Sequence, residues 1–175
     1  ELIVRVCKIL CGLLIIRLLS PSDFGMYSVL FAAVTMFSFL LDPGINTLVL
    51  KKFPARKRYL RFFKSFLKLK LLFLVIGALC FLVAFFLNIA PGSSIIDAIG
   101  MLSLVVLNEL AGFFFTILRA RNSVQSEVLL RFSHGFLTLI LLSVLFFNEA
   151  SILLVLLAQV LPWVLIMPFL WRGIT

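Results

Sequence analysis

The stretch Arg17-Leu18-Leu19-Ser20-Pro21-Ser22-Asp23-Phe24-Gly25-Met26-Tyr27-Ser28 ends one apolar run and begins another within a few residues. Proline fixes φ and removes a backbone donor, while Ser and Asp side chains cap helix starts. With Gly25 expected to relieve the backbone, the stretch reads as a tight helix-to-helix connection, the tip of a hairpin between two membrane spans.

Composition places the rest of the chain in the same class. Hydrophobic residues make up 63% of the 175, charged residues 13%, and mean hydropathy is +1.25. That balance excludes an ordinary soluble domain and predicts an all-α, polytopic integral membrane protein. A net charge of +9 would point to nucleic acid in a soluble chain. Here the basic residues flank apolar runs, where they set topology, so no nucleic-acid partner is expected. Cys7, Cys11 and Cys80 lie inside apolar runs without metal-ligand spacing, so no disulfide, metal site or cofactor is expected.

About 20 residues cross a hydrocarbon core. On that scale the sequence predicts six transmembrane helices, over residues 2–19, 24–50, 69–87, 97–118, 132–147 and 151–171. The second is long and interrupted by Asp42-Pro43-Gly44, the fourth carries Asn108-Glu109 near its middle, and Pro162 and Pro168 are expected to kink the sixth. With the N-terminus cytoplasmic, fifteen of the sixteen Lys and Arg residues fall toward the cytoplasm and only Arg17 lies opposite. Such asymmetry is what membrane insertion selects. The chain opens at Glu1 without an initiator Met or a cleavable signal, and is expected to be part of a longer protein.

The order Arg17-Leu18-Leu19-Ser20-Pro21-Ser22-Asp23-Phe24-Gly25-Met26-Tyr27 between a first and a second span resembles the signature of bacterial polysaccharide flippases. These are the Wzx-like O-antigen and capsule exporters of the MOP superfamily, whose pattern there is Arg-x-Leu-Gly/Ser-Pro-x-Asp/Glu-Phe/Tyr-Gly-x-Tyr/Phe. Leu41-Asp42-Pro43-Gly44-Ile45 followed by Lys51-Lys52, and Leu118-Arg119-Ala120-Arg121-Asn122, are similar to further elements of the family. The resemblance implies that residues 1–175 are the N-terminal six-helix lobe of a two-lobed transporter whose C-terminal lobe is missing here. It implies flipping of a polyprenyl-pyrophosphate-linked oligosaccharide across the bacterial cytoplasmic (inner) membrane, a non-enzymatic function with membrane lipids and the second lobe as partners. A lipid II or teichuronic-acid flippase, a cation-coupled drug exporter, an integral membrane enzyme of the same pathway and a half-size dimerising protein remain alternatives. The Asp23-Phe24-Gly25 match to the kinase metal motif has no Gly-rich loop or strand lysine around it and is set aside.

Transport of such a substrate needs groups that neutralise phosphate and accept sugar hydroxyls. The candidate substrate-binding residues are therefore the polar groups inside spans: Arg5, Lys8, Arg17, Asp42, Asn108 and Glu109. Arg5 and Lys8 sit three apart on one helix and present two cations together, or else snorkel to headgroups. Arg17 guides phosphate outward or caps helix carbonyls. Asp42 contributes to the site or satisfies backbone groups freed by the broken helix, and Glu109 lines a lumen or pairs with a buried Arg or Lys. Gln159 and His134 read as packing donors between helices. Lys57, Arg61, Lys64 and Lys68 recur at steps of four, three and four, a basic stripe expected on an interfacial helix that docks on anionic lipid.

Overall fold

A computed structural model describes residues 2–52, 59–87, 94–120, 124–146 and 151–174. Every regular element among them is an α-helix: α1 (Leu2–Leu18), α2 (Pro21–Met36), α3 (Ser38–Leu41), α4 (Ile45–Lys52), α5 (Tyr59–Phe86), α6 (Ile95–Ala120), α7 (Val124–Leu145) and α8 (Ile152–Ile174).

The α1–α2 connection forms as its sequence dictates. Ser20 is the N-cap of α2, its hydroxyl accepting from the Asp23 backbone N–H at 3.2 Å and donating to Asp23 Oδ2 at 2.8 Å, with Pro21 in the first turn. Proline needs no donor partner there, and a carboxylate in the first turn complements the helix dipole. Gly25, however, sits inside α2 without a positive φ, and a Cβ added to it would meet nothing within 4 Å, so it does not relieve the backbone. Ser94 and Asp97 repeat the same reciprocal cap at the start of α6.

The expected second span is three helices, bent by 42° between α2 and the α3–α4 pair. One break comes at Phe37, where no Pro or Gly signals it. Thr35 Oγ1 bonds the carbonyls of both Phe31 and Ala32, at 2.8 and 2.9 Å, in the turn that precedes this break. The other lies at Asp42-Pro43-Gly44, where Gly44 takes φ 87°. Asp42 caps α4 there, accepting from the Ile45 N–H at 3.0 Å.

Two other helices exceed their expected bounds. α5 starts at Tyr59 rather than 69, so the basic stripe is the entry to a spanning helix and not a separate interfacial one. Phe63 causes this: it is buried against Phe113, Phe114 and Trp171, which ties the stripe's apolar side into the bundle, while Lys64 and Lys68 stay exposed. Lys57 lies outside the described residues, as does the side chain of Arg61. α7 starts at Val124 rather than 132, because the Glu127 charge is neutralised by Arg119 and Arg131. α8 continues as one helix through Pro162 and Pro168.

α6 is the central helix, with Ala98, Met101, Ala111, Phe113 and Ile117 fully buried. Its partners fix the helix directions. Gly100 meets Leu156 and Phe115 meets Trp163, so α6 and α8 run parallel, whereas Phe63 on Phe113 and Lys70 on Glu109 make α5 antiparallel to α6. Cys7 packs on Gly135, and α1 runs parallel to α7. Large apolar side chains point outward on many helices: Ile9, Val83, Val164 and Phe169 are each at least 56% exposed, as a lipid-facing surface requires.

By length and composition four helices can cross a bilayer, within Phe63–Phe86, Ile95–Ala120, Val124–Leu145 and Ile152–Trp171, and the bent α2–α4 unit makes a fifth. α1 falls short of the expected sixth, because its 17 residues hold three cations, Arg5, Lys8 and Arg17. A Cβ on Gly77 would overlap the side chain of the buried Leu41. Gly77→Val should therefore destabilise the α3–α5 contact by about 1–3 kcal/mol, while Gly12→Val, which meets nothing within 4 Å, should not; thermal unfolding of both variants in detergent checks this.

Candidate functional site

The deepest charge in the bundle is Lys70, whose side chain is 0% exposed. Its Nζ donates to Glu109 Oε2 at 3.2 Å and lies 3.6 Å from Asp42 Oδ1. Lys70 and Glu109 each sit about 16 Å of helix rise from the neighbouring Tyr59 and Ala120 ends of α5 and α6. At that depth an unpaired charge costs several kcal/mol, so three charged groups, from α5, α6 and the break before α4, persist only by mutual neutralisation and hydrogen bonding. The Asp42 carboxylate accepts from Ile45 N–H and from Asn46 Nδ2 as well as facing Lys70. It thereby joins the broken span to α5, fulfilling the backbone role expected of it, and Glu109 has the buried basic partner expected as one of its two readings.

Above this cluster the helices leave a cleft. Its inner cavity, about 260 Å³, is lined by Lys8, Asp42, Asn46, Asn108, Glu109, Arg131, His134 and Trp163, among others. Its outer cavity, about 210 Å³, is lined by Arg5, Lys8, Arg119, Glu127 and Arg131. Val4, Lys8 and Arg131 wall both, so the two adjoin. The rim is ordered by Glu127, 2% exposed, which accepts from Arg119 Nε at 3.0 Å and Nη2 at 2.6 Å and pairs with Arg131 at 3.0 Å. Arg131 also lies 4.5 Å over the Phe115 ring. Fixing two guanidiniums on one carboxylate preorganises the cationic rim and leaves it a positive surplus.

Five of the six sequence candidates line these two adjoining cavities, Arg5 the outer, Asp42, Asn108 and Glu109 the inner, and Lys8 both. Arg17 lines neither cavity; it sits in the last turn of α1, exposed, where its charge complements the helix C-terminus. Gln159 packs as expected, hydrogen-bonded to the Tyr27 hydroxyl across α2 and α8. His134 stacks on Trp163 with ring centroids 3.7 Å apart. Sequence alone groups Lys70 with the cytoplasmic basic residues and assigns Glu127 no role. A signal exists for each. Lys70 follows Lys68 by two, which puts it on the opposite face of the helix from the exposed stripe, and Glu127 precedes Arg131 by one helical turn.

A bundle whose described residues are all helical, with apolar outward side chains and charged cavities leading from its basic end toward a buried ion cluster, defines a membrane protein with polar space between its helices. The family profile described as "Polysaccharide biosynthesis protein" matches residues 1–172, and the chain belongs to that family. No curated protein and no solved structure gives a significant match.

Lys70→Met would leave Asp42 and Glu109 facing each other without a cation and should cost about 3–5 kcal/mol. Adding Glu109→Gln removes one of the two charges and should restore more than half of that loss. Chemical unfolding of the single and double variants in detergent reads the coupling directly.

Proposed function

We propose that the chain is the N-terminal six-helix lobe of a MOP-type flippase that moves a polyprenyl-pyrophosphate-linked oligosaccharide across the bacterial cytoplasmic membrane, with its N-terminus cytoplasmic. The observation that carries this reading is the cleft. It runs from a cationic rim to the Asp42–Lys70–Glu109 cluster, and no covalent step is needed of such a site, only differential binding as the cleft changes sides. Helix directions support six spans. Taking α2–α4 as one unit, each packed pair of same parity runs parallel (α1 with α7, α6 with α8) and the opposite-parity pair α5 and α6 runs antiparallel. That alternation puts Arg5, Lys51, Lys64, Arg119 and Arg131 toward one end and Arg17 toward the other, the asymmetry that orients the basic end to the cytoplasm.

The same reading requires a second lobe, because alternating access works by rocking one repeat against another around the site. Membrane lipid and the lipid-linked substrate are its other partners. An enzyme of the same pathway is the competing class, and it predicts chemical conversion of the substrate where a flippase predicts only its translocation.

A double variant, Arg5→Gln with Lys8→Gln, keeps hydrogen bonding at the rim and removes two charges, each worth roughly 1.5–3 kcal/mol against phosphate. In the host membrane it should lower polysaccharide export at least about tenfold with unchanged protein level. Full export by this variant would contradict the reading. Residues 1–175 reconstituted alone should flip no lipid-linked sugar, as followed by sugar accessibility at the outer face of proteoliposomes.

A further inference from the structure

Lys64 and Lys68 are exposed on the outward side of α5, line neither cavity, and pair with no carboxylate among the described residues. The described carboxylates are engaged elsewhere or remote. Asp42 and Glu109 hold Lys70, and Glu127 holds Arg119 and Arg131. Asp23 and Asp97 lie in the first turns of α2 and α6, at the opposite end of the bundle. A counter-charge for these two lysines must therefore come from outside the described residues.

Their depth indicates its source. The span on α5 is apolar as far as Phe86, and about 30 Å of hydrocarbon takes about 20 residues of helix. Counted from Phe86, that layer ends near Leu67, so Lys68 stands at its boundary and Lys64 one turn farther out, at headgroup level. A line of apolar side chains continues from them: Leu72, Val75, Leu79 and Val83 are each at least 54% exposed. From Lys64 to Val83 the positions recur at steps of four, four, three, four and four, the spacing that keeps them in one line along a helix. Two cations at headgroup level above a strip of aliphatic surface match a molecule with an anion above hydrocarbon chains. A zwitterionic lipid fits less well, because its own ammonium competes for the phosphate. A second copy of this face would set lysine against lysine, and an acidic peptide would leave the aliphatic strip unmatched.

We propose that the outward face of α5 binds one anionic glycerophospholipid of the leaflet at the basic end, its phosphate held between Lys64 and Lys68 and an acyl chain lying along Leu72, Val75 and Leu79. The lipid fixes the depth of α5, and with it the depth of Lys70, which follows Lys68 by two residues and is buried on the opposite side of the helix. This site is separate from the cleft and independent of the flippase reading, which assigns the polyprenyl diphosphate to Arg5 and Lys8.

The test titrates the full-length protein in detergent with phosphatidylglycerol, phosphatidylethanolamine or undecaprenyl diphosphate and measures bound lipid by native mass spectrometry. Phosphatidylglycerol should bind at least about tenfold more tightly than phosphatidylethanolamine. Lys64→Gln with Lys68→Gln should lower affinity for phosphatidylglycerol about tenfold while leaving that for phosphatidylethanolamine within about twofold, which also shows that the variant is folded. Arg5→Gln with Lys8→Gln removes the same charge from the cleft and should change phosphatidylglycerol binding less than about twofold. Equal affinity of the native protein for the two phospholipids, or an equal loss of phosphatidylglycerol in both double variants, would overturn the site. So would a loss of undecaprenyl diphosphate in the α5 variant as large as that of phosphatidylglycerol, since the stripe would then serve the polyprenyl lipid. A loss of undecaprenyl diphosphate in the cleft variant alone would support two separate sites; its full retention there would count against the flippase reading and leave the α5 site standing.

Discussion

The structure depends on the ion pairs of Lys70. A fully buried ammonium in a lipid-facing bundle survives only if its neighbours carry opposite charge at close range, and Glu109 at 3.2 Å with Asp42 at 3.6 Å supplies that. Because the three groups come from α5, α6 and the break before α4, their pairing ties the bent span to the two helices beside it. In lipid there is little hydrophobic drive between helices, so packing and polar contacts of this kind choose the arrangement. The break itself follows: Pro43 and Gly44 release backbone donors, and the Asp42 carboxylate accepts from Ile45 N–H while facing Lys70. One aspartate therefore settles both a local backbone problem and a tertiary charge balance.

The same pairing explains why the cleft is polar. With Lys70 held by two carboxylates, Asp42 and Glu109 retain partial exposure toward the inner cavity, at 19% and 22%. The rim is a second, shallower solution to the same problem, one carboxylate between two guanidiniums, reversed in sign. The cleft accordingly runs from net positive at the helix ends to a floor where two carboxylates face one ammonium.

Much of this is legible in the sequence, for physical reasons that also mark its limits. Ser20-Pro21-Ser22-Asp23 determines a helix start by local chemistry alone, so it folds as it reads. Asp42, Glu109, Arg5 and Lys8 declare themselves because charge inside an apolar run is expensive wherever it lies. Partnerships are not legible. Lys70 sits among surface lysines in sequence, and only its register relative to Lys68 and the approach of α6 distinguish it; Asn46 and Trp163 gain their roles from helices distant in the chain. The bend at Phe37 is hidden because no Pro or Gly marks it. Gly25 shows the opposite error, a glycine whose freedom the backbone does not use.

The central claim is that a polar cleft reaches the buried ion cluster from the basic end. The most direct measurement is thiol labelling of single cysteines at Asn108 and Gly112 on the cleft wall and at Val83 on the outer face of α5, in a protein whose Cys7, Cys11 and Cys80 are replaced by alanine. A membrane-impermeant reagent added to the side bearing Arg5 and Lys8 should label positions 108 and 112 and spare 83; added to the other side, in the absence of substrate, it should label none. Equal inertness of 108 and 83 from both sides would show that no aqueous cleft leads to Glu109, and would contradict the account.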